Sequence, residues 1–558
     1  MTSAKSILEI APKAYQVLSE FIYKTTYQVA GHVVLDLATL LKLTGLISAC
    51  YFGVAVYRIW FHPLARIPGP FLCKVTAGVW TYKFFRGRAL AWQAELHEMY
   101  GEIVRVGPNH VSYIKPEAWK DIFKHKQAGF RPNVKTMNED GSEPPSDHLP
   151  LILESSVEGH AAQRKKLNVA FSERAWRDQE PLVYKHIDWL VGELRDHVDA
   201  SPNGEAELEI ARIFDIVVMK TMCSLSLGAE IETFSPDYES SWVPIALGVH
   251  ETLSRYLHWL VCLSKIFCLP HLNLISSPTD KQIALKAYPL VLFMFRLLTP
   301  KALLHGFDTH MANCQPFIKS RLENPEVDRP DILGFLLRET KNGMSRRLIN
   351  VNASMLVMAG METSSTALKA ITYLLVSNPD KLQKLAREVR ALPKRSDLNS
   401  KNLQTLVYLN AVISEGLRLF PSGQAALAAQ RRIAPGGNFV CGEFLPQYTQ
   451  VFMAAHAMNN SPLFWKAPHE FVPERWIPEE TAFSEYHDYD KFQVRLPFGY
   501  GPRMCIGKNI AYHELRGVLA SLVYEFDLAS TRETVEWLYI KSSNVWSKPD
   551  LKVRASRR

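Results

Sequence analysis

Phe498-Gly499-Tyr500-Gly501-Pro502-Arg503-Met504-Cys505-Ile506-Gly507 sets one cysteine among glycines, with an arginine two positions before it. Glycine permits the left-handed backbone that a loop closing tightly on itself requires. Such a loop leaves a sulfur exposed at its tip, ringed by main-chain N–H groups. Those donors, and the positive end of a helix expected to begin near Lys508, favour the thiolate form of Cys505. The plainer alternative is a buried structural cysteine in a Gly/Pro turn. That alternative does not need Phe498, Gly501, Arg503, Cys505 and Gly507 all at the offsets F-x-x-G-x-R-x-C-x-G.

Around this loop lies a chain of 558 residues, 47% hydrophobic and 22% charged, with material for a large core. The net charge of +8 is mildly basic, but no dense Lys/Arg run or basic–aromatic interleaving accompanies it, so nucleic acid is not an expected partner. The eight cysteines, at 50, 73, 223, 262, 268, 314, 441 and 505, include no C-x-x-C pair. This argues against a zinc site or a secreted disulfide framework and fits a reducing compartment.

Residues 1–30 have no assignable task. From Leu37 to Tyr57 the chain reads LATLLKLTGLISACYFGVAVY, broken only by Lys42, which is the length a helix needs to cross a bilayer. Tyr51, Tyr57 and Trp60 suit its interfaces, and Arg58, Arg66 and Lys74 favour a cytosolic C-terminal side. The alternative is a buried core helix. His62 to Pro70 carries three prolines and forms a stiff connector. A strand is expected at Ile103–Val106, a turn at Pro108-Asn109 and a return strand from His110 to Ile114. Residues 129–150 read as a long loop.

His160 and Arg164 share one face of a helix, with Lys165 and Lys166 turning away. From about 180 to 345 the pattern is helical and motif-poor, and the apolar stretch Tyr256 to Ile275 is interrupted by Lys265 and Pro270. Leu348 to Ser377 reads as a long helix ended by Asn378-Pro379. At its middle stands Ala359-Gly360-Met361-Glu362-Thr363-Ser364, where Gly360 lets a ligand approach the backbone and Thr363 bonds a carbonyl or holds a water. Glu415 and Arg418 sit opposite the apolar face formed by Leu409, Val412, Ile413 and Phe420, so the residues alone describe a solvent-exposed ion pair.

The cysteine loop is the signature of the cytochrome P-450 superfamily, the haem-thiolate monooxygenases, and the chain from about residue 60 to 558 resembles that family. Ala359–Ser364 is similar to its A-G-x-[DE]-T-[ST] oxygen-activation site. Glu415–Arg418 resembles its E-x-x-R, and Pro473-Glu474-Arg475-Trp476 its P-E-R-[FW]. Arg431-Arg432-Ile433-Ala434-Pro435-Gly436-Gly437 resembles its R-x-x-P-x-G-G, with the proline displaced by one. The resemblance implies a mainly α fold with a small β-rich lobe, the cytochrome P-450 fold, behind an N-terminal transmembrane helix. Residues 1–62 would be the membrane anchor and 63–558 the catalytic domain.

Carried over, Cys505 is the axial ligand of haem b iron, in the loop built on Phe498 and Gly501. Arg164, Arg431 and Arg503, with His160 in the family's usual tryptophan position, hold the propionates. Glu362 and Thr363 deliver protons, while Glu415, Arg418 and Arg475 form a buried scaffold, against the residue-only expectation. Residues 129–150 and Ser422–Ala428 would face substrate. The implied reaction places one atom of O2 in an apolar organic small molecule. Electrons come from NADPH through a separate NADPH–cytochrome reductase, because no flavin or nucleotide domain is visible; Lys165 and Lys166 lie where it would dock. The implied setting is the endoplasmic reticulum membrane, with a single-pass anchor and a cytosolic catalytic domain. Ile510–Arg516 and Val545–Pro549 resemble a fungal secondary-metabolism subgroup of the trichothecene-hydroxylase type. Two rivals share the cysteine: a haem-thiolate isomerase or dehydratase that needs no O2, and a non-catalytic membrane haem-binding protein.

Overall fold

The computed structural model describes residues 37–124, 132–135, 149–231, 242–248, 301–324, 329–338, 344–423, 430–481, 496–531, 541, 546 and 549–558. Residues 1–30, most of 129–150, Tyr256–Ile275, Gln424–Ala428 and Val545 lie outside them. The chain forms two compact units, Met1–Ala65 and Arg66–Arg558.

In the first unit, helix α1 (Leu37–Val56) runs into one π-helical turn, Tyr57–Phe61. Among the described residues this is one helix long and apolar enough to cross a membrane, over Thr44–Phe61.

Among its described residues the second unit is mostly helical, with three small sheets. The expected hairpin forms: β1 (Ile103–Gly107) pairs antiparallel with β2 (His110–Tyr113). Helices α2 (Val157–Leu167), α3 (Glu173–Asp199) and α6 (Arg346–Ser377) each start at a serine, Ser156, Ser172 and Ser345, whose hydroxyl accepts a first-turn N–H. Between them lie β3 (Glu205–Glu209), α4 (Ile210–Leu227) and α5 (Lys301–Glu323). After α6 come α7 (Val407–Leu419), β4 (Gln430–Arg432), β5 (Asn438–Val440), β6 (Glu443–Leu445), β7 (Gln450–Met453), α8 (Lys508–Glu525), β8 (Phe526–Ser530) and β9 (Lys552–Arg557). The sheets run β1-β2-β7-β4, β3-β9-β8 and β5-β6. β3 departs from the helical pattern expected between about 180 and 345. Its alternating Glu-Ala-Glu-Leu-Glu buries Leu208 and pairs with the C-terminal strand, Glu207 facing Arg554.

The core forms where α3, α4, α6 and α8 pack together. One polar contact crosses it: Lys369 of α6 reaches Asp215 of α4 at 2.7 and 2.8 Å, and the Ser365 hydroxyl donates to the same carboxylate.

The exposed pair expected from the periodicity of α7 is not what forms. Glu415, Arg418 and Arg475 are all 0% exposed in their side chains. The Glu415 carboxylate accepts from Arg418 Nε at 2.9 Å and Nη2 at 2.8 Å, Arg475 Nε at 3.1 Å, the Val472 amide at 3.0 Å and the Trp476 indole at 2.9 Å. The remaining guanidinium donors reach the carbonyls of Asn459, Pro468, Glu470 and Lys466, and Trp465 lies beneath both arginines. Burial alone would raise the Glu415 carboxyl; Arg418, Arg475 and the Val472 amide overcome it and hold it below its usual value. Removing one member leaves a buried charge uncompensated, which costs about 3–5 kcal/mol. Glu415→Gln is therefore expected to lower unfolding stability by that amount. An unchanged denaturant midpoint would show the cluster to be energetically idle.

Candidate active site

The cysteine loop is held by its own main chain. The Cys505 amide donates to Phe498 O at 2.9 Å and the Met504 amide to Gly501 O at 3.0 Å. Gly501 has φ +77°, and a Cβ there would lie 2.3 Å from Phe123 O, so both backbone conformation and space require glycine. The Phe498 ring packs on Tyr512 of α8 at 5.0 Å. Cys505 Sγ stands exposed at the loop tip while lying deep among protein atoms. That surrounding bulk is the dominant influence and raises the thiol above its ordinary value; the Gly507 N–H and Arg164 pull the other way. The donors expected from the sequence are present, but in the protein alone they do not outweigh desolvation.

Beside the loop is a cavity of about 360 Å³ lined by His160, Arg164, Arg431 and Arg503, with Phe123 and Pro502 among its walls and no carboxylate among the described residues that line it. Helix α2 supplies His160 and Arg164, the loop Arg503 and β4 Arg431. Arg164 donates to Met504 O, adjoining the cysteine, and its Nε to Asn168 Oδ1 at 3.0 Å. Arg503 donates to the carbonyls of Glu154, Ser155 and Ser156, tying the loop to the start of α2. Arg431 lies over the Phe123 ring at 4.7 Å and donates to Gln430 O at 2.7 Å. Desolvation, then Arg503, lowers Arg431 to about 9; desolvation lowers Arg503 to about 10. His160 falls to about 3 for the same reasons, burial first and then Arg503 and Arg164, so its imidazole is neutral. Confined cations without an acid among them are costly and match the two carboxylates at the edge of a haem. The residues present therefore fit that group.

The expected acid–alcohol pair lies on α6. Thr363 is half-exposed on a helix whose neighbouring positions are buried, and its hydroxyl donates to Ala359 O at 2.8 Å. Glu362 is 2% exposed. Gly360 does not make room for a ligand: a Cβ there would lie 2.4 Å from Met222 Sδ of α4, so the space belongs to helix packing.

Two residues with no role assigned from sequence belong in this region. Lys135 lies close enough to Arg431 and Arg503 to feel both charges. Glu514 of α8 is 2% exposed, and neither carboxyl oxygen has a hydrogen-bond partner of ordinary geometry. Burial raises it from 4.5 to about 7, the nearby Ser364 hydroxyl of α6 pulling weakly downward. Its place in Ile510–Arg516 was legible; its burial against α6 was not. A carboxyl raised in the folded state adds stability that is complete below the unfolded value and lost as pH rises toward the folded one. Glu514→Gln removes that loss. The stability of the variant relative to the parent should therefore climb between about pH 5 and pH 8. A difference that stays flat across that range would mean Glu514 does not titrate there.

A family model for cytochrome P450 matches residues 78–553. Cytochrome P450 monooxygenase efuB of Hormonema carpetanum is 30% identical over 505 residues, 89% of this chain and 92% of that protein. Cytochrome P450 monooxygenase FUM2 of Gibberella moniliformis is 30% identical, covering 90% and 99%. Trichothecene C-15 hydroxylase of Fusarium sporotrichioides is 32% identical, covering 92% and 97%. The motif order, the mainly helical architecture and these near full-length matches lead to one conclusion: the chain belongs to the cytochrome P450 family, the haem-thiolate monooxygenases.

Proposed function

We propose that this enzyme inserts one atom of O2 into an apolar organic substrate of fungal secondary metabolism, a terpenoid or polyketide, with electrons from NADPH passed through a separate reductase. The observation that carries the reading is the carboxylate-free cavity of His160, Arg164, Arg431 and Arg503 beside the exposed Cys505 sulfur. Likeness to a trichothecene hydroxylase supports the substrate class.

Bound haem supplies an iron that activates dioxygen, with thiolate donation favouring O–O cleavage. The chain's residues do the rest. Cys505 Sγ would ligate the iron; Arg164 stays within electrostatic reach of it and favours the thiolate. Arg431 and Arg503 would orient the carboxylate edge, and neutral His160 would donate one N–H to it. The Thr363 hydroxyl, whose proton goes to Ala359 O, keeps its lone pairs to accept from a water at the half-exposed face of α6. That water carries the proton that Glu362 replenishes. Glu415, Arg418 and Arg475 fix the scaffold. Exposed Lys165 and the adjacent Lys166 present positive charge for a reductase to dock against. Residues 1–62 form a single-pass anchor in the endoplasmic reticulum membrane, with 63–558 as the cytosolic catalytic domain.

Cys505→His is expected to retain some haem and lose the thiolate-type Soret band of the reduced CO complex; an unchanged band excludes Cys505 as ligand. Substrate-dependent NADPH consumption with added reductase separates a monooxygenase from an isomerase or a binding protein. Thr363→Ala should leave substrate affinity near its parent value, lower product per NADPH and raise hydrogen peroxide per NADPH. A positioned proton carrier contributes about 10²–10⁴-fold, so the change in coupling should be plain. Thr363→Ser should recover it. If the hydroxyl serves only its own helix, stability changes while the peroxide-to-product ratio does not.

A further inference from the structure

Helix α6 carries the acid–alcohol pair, and α4 holds it on either side of that turn. Just before Thr363, Gly360 leaves room for Met222 of α4, whose Sδ would lie 2.4 Å from a Cβ there. Just after it, the Asp215 carboxylate of α4 accepts from Lys369 Nζ at 2.7 and 2.8 Å and from the Ser365 hydroxyl. Asp215, Ser365 and Lys369 are all buried. Ser365 and Lys369 are four apart and share a face of α6, which Glu362 joins three residues earlier. Thr363, two residues before Ser365, lies about 160° away round the axis and is the half-exposed position of this turn.

The helix's own bonds do not fix this turn firmly. The hydroxyls of Thr363 and Thr366 donate to Ala359 O and Glu362 O, each at 2.8 Å. Such back-bonds slightly destabilise a helix and often bend it. The neighbours Phe214, Ile216, Leu368 and Ala370 belong to the apolar core, and apolar contact is non-directional. A carboxylate bound from two positions of one helix face is directional, and it resists rotation about the axis. Stability does not account for the charges, because replacing a buried ion pair by apolar residues is often neutral or stabilising.

We propose that Asp215, Ser365 and Lys369 are positioning residues for the oxidation: they fix the rotation of α6 and so place the Thr363 hydroxyl and the Glu362 carboxyl for proton delivery. The inference rests on the proton-carrier reading of Thr363 above. None of the three touches the reacting atoms; Asp215 acts through Ser365 and Lys369 on the turn that bears the pair. A rotation of about 20° would move a hydroxyl roughly 1.5 Å, given Cα atoms about 2.3 Å from the axis and the side chain beyond them. Misplacing a reacting group by about 1 Å can cost about 10²-fold.

The test compares the full-length parent with an apolar variant, Asp215→Leu/Ser365→Ala/Lys369→Met, and with Asp215→Asn/Lys369→Gln, whose amides keep a directed bond without charge. Crystal structures should show Thr363 Oγ1 displaced by about 1 Å relative to the cysteine loop in the apolar variant and unmoved in the amide variant. The denaturant midpoint of the apolar variant should equal or exceed the parent's. With reductase, NADPH and the sesquiterpene valencene as probe, its peroxide-to-product ratio should rise about tenfold, while the amide variant keeps the parent's ratio. An apolar variant with Thr363 in place and the parent's ratio overturns the proposal. So does a lowered midpoint with Thr363 in place, which would make the three residues a stabilising cluster only. If the apolar variant fails to fold, Ser365→Ala decides alone, and an unchanged Thr363 position overturns the proposal. If the parent does not oxidise valencene, the crystallographic comparison decides. Unchanged coupling in Thr363→Ala would instead overturn the proton-carrier reading, so the two failures are distinguishable.

Discussion

One buried carboxylate holds much of the second unit in place. Glu415 has no solvent to accept from, so each of its lone pairs is met by protein: two arginines, an indole and a main-chain amide. The arginines in turn satisfy carbonyls between Asn459 and Glu470, a stretch with little regular structure of its own. A segment that cannot form a ladder or a helix must find partners for its carbonyls elsewhere. Here two guanidinium groups provide them, and the carboxylate makes it possible to bury the guanidinium groups.

The cavity beside Cys505 uses the same chemistry with the opposite balance. Arg431 and Arg503 are again largely removed from water and again donate to carbonyls, but no acid is among the described residues that line the cavity, and Glu154 acts on Arg503 alone from outside it. In the first cluster charge is compensated internally and the result is rigidity. In the second it is left over, and each cation depresses its neighbours. Such a site gains most from an anionic ligand that brings the missing charge with it. The hydrogen bonds of Arg503 to the start of α2 join the cysteine loop to His160 and Arg164, so the ligand-bearing loop and the cradle share a support.

Two carboxyl groups on neighbouring helices show how environment separates like residues. Glu415 is anionic because donors surround it; Glu514 is equally dry but has almost none, and it keeps its proton toward neutral pH. Residue type alone does not distinguish them.

What the sequence determined is local. Glycines at fixed offsets close the cysteine loop, and Gly501 at φ +77° against Phe123 shows why one of them has no substitute. Serine caps start α2, α3 and α6, Asn378-Pro379 ends α6, and Pro108-Asn109 turns the β1–β2 hairpin; each is a matter of a few neighbouring residues. Resemblance supplied the family and the expected roles. What only the tertiary structure decided depends on partners far along the chain. Periodicity assigned Glu415 and Arg418 to solvent because a helix's own pattern cannot reveal that Arg475 and Trp476 will cover that face. Gly360 looked open to a ligand until Met222 was packed against it. β3 found its partner at the C-terminus, and Val134 met Arg432 through a single isolated bridge between positions some three hundred residues apart. Spacing along a chain records what one element requires of itself; which groups lose their water together is settled when the elements pack.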